Sequence, residues 1–109
     1  MGLAKVSKID MPKTVRVGPH DYSILRKPAS VMKDTLGHCD SSTLQIWVKQ
    51  RLRKSKSQEI LIHELFHAMT LQALDTTKQH DDEAYIVVLA PLMLQMLREN
   101  PQLVAYLLS

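Results

Sequence analysis

Polar and apolar residues alternate along three stretches of the first half of the chain. Thr14-Val-Arg-Val17 alternates with β-branched residues, and Tyr22-Ser-Ile-Leu-Arg26 resumes the pattern after the turn cluster Gly18-Pro-His-Asp21. Strand side chains change face at every residue, so the two runs predict a β-hairpin, ended by Pro28. Thr43-Leu-Gln-Ile-Trp-Val-Lys49 predicts the clearest strand, with Leu44, Ile46 and Val48 on one face and Gln45, Trp47 and Lys49 on the other. Leu36-Gly-His-Cys-Asp40 predicts a short strand, and residues 29–35 read as a helical turn or a loop.

The period then changes. Ile60, Leu61, Leu65, Ala68, Leu71 and Leu74 recur at helical spacing, which predicts a helix from near Lys56 to about Leu74. Ser55 and Gln58 fit a capping box at its start. Thr77 would cap a second helix from about Lys78 to Glu99, kinked or divided at Pro91. Asn100-Pro101 is a cap followed by proline at the first helical position, leading a short apolar helix to Leu108. Residues 1–12 are expected to be a loose lead-in. Residues 13–109 are expected to form one small α+β domain, helices against a small sheet.

Composition narrows the setting. A single cysteine, Cys39, excludes an intramolecular disulfide framework. No apolar run is long enough to span a bilayer, and Lys5, Lys8 and Asp10 break any signal-peptide core. These features predict a cytoplasmic protein of a reducing compartment with no membrane partner. The net charge of +3 hides an asymmetry: residues 1–56 carry 12 Lys/Arg against 4 Asp/Glu, residues 57–109 carry 2 against 7. The basic connector Lys49-Gln-Arg-Leu-Arg-Lys-Ser-Lys56 reads either as solvated chain or as a contact for phosphate backbones.

The chemistry concentrates in His63-Glu64-Leu65-Phe66-His67. Four-residue spacing puts both imidazoles on one helix face, where they can share a Zn²⁺ ion, with Glu64 beside them to take a proton from the attacking water. A catalytic zinc usually takes three protein ligands. The metzincin extension is absent, because Thr70 and Ala73 stand at its glycine and third histidine. Glu83 is the expected third ligand: it shares a helical phase with Ile86, Val87, Ala90, Leu94 and Leu97, a face expected to be buried, where a carboxylate is costly without a cation. His80 is the runner-up, and Asp81 or Asp82 would orient a histidine or cap the helix. Candidate donors to the developing oxyanion are Tyr22 and Tyr85, then His38, His80 and Tyr106.

With a glutamate on the following helix, the stretch Ile60-Leu-Ile-His-Glu-Leu-Phe-His-Ala-Met69, the strand before it and Asp82-Glu83-Ala84 after it resemble the minigluzincins and the ImmA/IrrE-like metallopeptidases, including short phage and prophage proteins. The resemblance covers about residues 36–100. It implies a zincin-like α+β fold, with a small antiparallel sheet packed on the H-E-x-x-H helix. It also implies that the strand Thr43–Lys49 borders the cleft and pairs with an extended peptide, which makes Thr43, Gln45 and Trp47 substrate-binding candidates. Val87 departs from the pattern, since larger gluzincins often carry an acidic residue four positions after the ligand glutamate.

The reading expected on these grounds is a zinc metallopeptidase acting on a protein or peptide, with Glu64 as general base. Two other readings stand beside it. One is a non-catalytic zincin-like module that captures a protein partner; the other is a DNA-associated regulator working through residues 49–56. An exposed sheet edge is compatible with a monomer or a homodimer.

Overall fold

The hairpin forms where alternation predicts it. β1 (Thr14–Val17) and β2 (His20–Lys27) pair antiparallel, with Val17 opposite His20, so the loop is only Gly18-Pro19. Gly18 adopts φ 58°, a left-handed conformation that costs glycine little and other residues more. The structure, a computed structural model, describes residues 9–76 and 82–109, without the side chains of 72–76 and 82–85.

After Pro28 comes a single helical turn, α1 (Ala29–Met32), then β3 (Gly37–Asp40) and β4 (Gln45–Lys49). The strand expected from Thr43 starts two residues later. Residues 41–44 form a turn and Leu44 has φ 55°, which takes it out of the extended region although its side chain packs on the core. Sheet order is β1-β2-β4-β3. β4 runs antiparallel to β3 but parallel to β2, with Ile24 beside Ile46. The sheet is therefore mixed, not antiparallel, and β4 is an inner strand with both edges paired.

Helices cover one face of this sheet. α2 (Lys54–Thr76) begins two residues before the expected start, so Ser55 lies inside it and no capping box forms. Gln58 instead donates to the carbonyl of Tyr106 at 2.7 Å. α3 (Asp82–Glu99) runs through Pro91 without dividing, and α4 (Pro101–Leu107) follows. The expected start of the second helix, from Thr77 to Asp81, lies outside the described residues.

The core is built from Val15, Val17, Tyr22, Ile24, Ile46 and Val48 of the sheet against Leu61, Leu65, Ala68 and Met69 of α2, Met96 of α3, and Leu103 and Tyr106 of α4. Aliphatic burial of this kind is the main favourable term in the fold. Of the lead-in, residues 9–12 are attached: Ile9 and Met11 pack on the core and Pro12 is buried.

One expectation about α3 is reversed. The face of Ile86, Val87, Leu94 and Leu97 is exposed, at 56%, 61%, 48% and 41%, whereas Met96 is fully buried and Leu89, Leu92 and Met93 pack on the core. α3 is apolar around most of its circumference, so composition alone does not select the packed side. Among the described residues no helix is long and apolar enough to cross a membrane.

Candidate metal centre

α2 carries the site in its middle. Leu61, Leu65, Ala68 and Met69 anchor one face on the core, leaving His63 and His67 on the exposed side one turn apart. Their Nε2 atoms stand 3.2 Å apart and their rings meet edge-on at 72°. Without a metal, one imidazole can donate to the other across this distance. The spacing also fits a shared ion: two Zn–N bonds of 2.0–2.1 Å at a tetrahedral angle set their nitrogens about 3.3 Å apart.

Glu64 points round the helix toward the sheet and is only 7% exposed. Its neighbour there is β3. A Cβ built on Gly37 would stand 2.6 Å from Glu64 Oε2, 2.6 Å from Ile60 Cγ2 and 3.0 Å from Glu64 Cγ. The carboxyl group is thus seated against the bare backbone of the sheet's outer strand. Cys39, two residues on and facing the same helix, has its thiol pushed up to about 11, by burial first and then by the carboxylates of Glu64 and Asp40. Asp40 is held below its usual range by the hydroxyl and amide of Ser42, which donate to its Oδ1 at 2.7 and 2.9 Å.

β3 is also an edge of the sheet, with no further strand beside it among the described residues. Lys49 N donates to the carbonyl of Leu36 at 2.9 Å, so by antiparallel alternation His38 and Asp40 turn their backbone groups to β4. The N–H and C=O groups of Gly37 and Cys39 turn outward, beside Glu64.

The substrate-binding candidates fall elsewhere. Gln45 and Trp47 lie on the sheet face opposite Ile46 and Val48, away from α2 and the histidines. There Trp47 Nε1 donates to Gln45 Oε1 at 3.0 Å, the His38 ring lies 5.0 Å from the indole, and Lys27 Nζ stands 4.9 Å over it. Thr43 is an exposed turn residue ahead of β4. β4 is enclosed between β2 and β3, so among the described residues it has no open edge for a peptide to pair with.

Among the oxyanion candidates, Tyr22 is buried in the core at 3% exposure, its hydroxyl titration raised by burial and then by Cys39 and Asp40. It makes no hydrogen bond to His63, Glu64 or His67 among the described residues. His38 is on the far face of the sheet, and Tyr106 is buried under α4. Tyr85, Asp82 and Glu83 sit on α3 with side chains outside the described set, and His80 and Asp81 lie outside it altogether. The buried face expected to carry Glu83 is not there, however: further along α3 that helical phase is exposed. Among the described residues no group of three His, Cys, Asp or Glu side chains comes together to hold a metal.

Gly37 and Cys39 are the members of the site that pattern reading passes over. A glycine inside an extended run is the available signal, since it often marks close approach of another group. No family model, curated protein or solved structure matches the chain.

Proposed function

We propose that this chain is a zinc-dependent peptidase with a zincin-like site, in which His63 and His67 hold the metal and Glu64 is the general base. The observation that carries it is the histidine pair, 3.2 Å apart between Nε2 atoms and open to solvent, with a buried glutamate on the adjoining face. A third ligand would come from Glu83 or Asp82 at the start of α3, or from His80, which precedes it in sequence. A bound zinc ion supplies the electrophile and a water acidic enough to react near neutral pH.

The chain's own groups do the rest. Glu64 accepts the proton of the attacking water and returns it to the leaving amine nitrogen. Its burial against Gly37 holds the carboxylate in one place, which favours a proton transfer that depends on position. The outward N–H and C=O groups of Gly37 and Cys39 would pair with an extended peptide and hold its scissile bond beside α2. That role passes to β3 from the Thr43–Lys49 strand, which has no free edge.

The test is metal content and peptide hydrolysis in wild type, Glu64→Gln and His67→Ala. Glu64→Gln is expected to keep zinc and to lose hydrolysis by roughly 10²–10⁴-fold. His67→Ala is expected to lose zinc as well. Undiminished hydrolysis in Glu64→Gln would remove the proposed base. Zinc binding with no hydrolysis in wild type would leave the non-catalytic reading, in which the same free edge captures a partner.

A further inference from the structure

At the N-terminal end of α2 a cleft of about 590 Å³ opens between residues 9–13, β2 and the connector before the helix. It shares no lining residue with His63, Glu64 or His67. Its volume is that of a small-molecule site. Lys13, Arg26, Arg51 and Lys54 line it, against one acid among the described residues, Asp10. The helix begins here without a neutralising group. Ser57 N is bonded to Arg53 O at 2.9 Å, so the amides of Lys54, Ser55 and Lys56 precede the helical ladder, and the first turn holds no acidic residue.

A separate observation points to what is bound. Tyr106 reaches the wall of this cleft from α4; it is 2% exposed, and its hydroxyl is buried with no hydrogen-bond partner among the described residues. Buried phenols ordinarily have one. Beside it Ser57 is fully buried and its Oγ accepts from Arg26 Nη1 at 3.3 Å, which draws the guanidinium inward.

We propose that this cleft binds the phosphate of a small phosphomonoester. The Tyr106 hydroxyl donates to one phosphate oxygen, while Arg26, Lys54 and the first turn of α2 neutralise the charge. Met11, Ile24 and Leu52 give the rest of the lining an apolar surface for the organic part of the ligand. The depth of the site decides between sources of phosphate. Tyr106 as a residue is 2% exposed and its hydroxyl lies beneath the surface, beyond a backbone phosphate on a stiff duplex; only a small ligand that enters the cleft comes near it.

The test is calorimetric titration of the full chain at constant ionic strength with inorganic phosphate, adenosine 5′-monophosphate, adenosine and a short DNA duplex. The nucleotide is expected to bind one to one and adenosine not at all, with phosphate weaker than the nucleotide. Tyr106→Phe is expected to weaken the nucleotide by about tenfold, and to raise the melting temperature of the free protein because an orphaned hydroxyl is gone. The exposed substitution Lys54→Gln is expected to weaken it several-fold with the melting temperature unchanged. Absence of saturable nucleotide binding, equal binding of adenosine, or affinity unchanged in both variants would each overturn the proposal. So would binding of the duplex alone.

Discussion

A methyl group on residue 37 would stand 2.6 Å from both Glu64 Oε2 and Ile60 Cγ2, closer than such atoms approach. Gly37→Ala must therefore push either β3 off α2 or the carboxylate out of its seat. The expected cost is about 1–3 kcal/mol of stability. On the proposed function the loss of hydrolysis should exceed what that loss of folded protein explains, as turnover measured beside thermal unfolding will tell. Cys39 offers a second reading of the same contact. Its thiol titrates at about 11 in the folded protein, above the ordinary value of 9.0, so the folded state holds this proton more tightly than the unfolded chain. The resulting stabilisation is complete below about pH 9 and is lost as pH rises toward 11. Alkylation of native protein at pH 8 should be slow and should become fast on unfolding; equal rates would contradict the assignment. The histidine pair was legible from spacing alone. The seat of Glu64 was not, because it depends on a strand 27 residues away whose only mark is a glycine.

Among the elements, the junction of α3 and α4 shows how a cap motif can be read correctly and used for something else. Asn100 precedes Pro101 as expected, yet its side chain makes no capping bond. Its Oδ1 accepts from Arg16 N at 2.8 Å, and its Nδ2 donates to the carbonyls of Arg16 and Met96 at 3.0 and 2.7 Å. Gln95 adds a bond from Gly18 N to its Oε1 at 2.8 Å. Together they close the outer edge of β1 with side-chain amides. Asn100→Ala would orphan the partly buried amide of Arg16, and a loss of about 1–3 kcal/mol is expected in denaturant unfolding. The strands were legible because alternation is a local property. Their pairing was not: parallel contact of β2 with β4 depends on the path between them, and Leu44 leaves the strand through a backbone angle that its side chain does not announce. The same limit reassigned Gln45 and Trp47, whose face was read correctly but whose strand was taken for an edge.

In the whole molecule, helices occupy one sheet face and leave part of their own apolar surface uncovered. Val87 and Ile86 are the clearest cases. Val87→Glu should change stability by no more than about 0.5 kcal/mol, as expected for a surface site. A loss of several kcal/mol in chemical denaturation would place that face in the core after all. The α+β class and most of the described elements were legible in the chain, with residues 29–35 left between a helical turn and a loop, but the packed side of α3 was not, since nearly all of its faces are apolar enough to serve. The basic half also takes on a meaning that net charge does not carry: Arg51 and Lys54 line a cleft that is lined as well by Tyr106, whose buried hydroxyl has no partner among the described residues.

The position of β4 bears on when this protein becomes whole. As the chain leaves the ribosome, β2 and β3 emerge with nothing to join them, since the strand that lies between them follows both in sequence. The sheet closes only once β4 has been made: its pairing with β3 is a local hairpin, whereas its pairing with β2, Ser23 beside Gln45, is the non-local contact of the kind that slows folding. The helix bearing His63 and His67 comes directly after that strand, joined to it by residues 50–53. Glu64 lies further along the chain still, so its seat on Gly37 forms only after β4 has been made, and any activity that depends on that seat waits for it too.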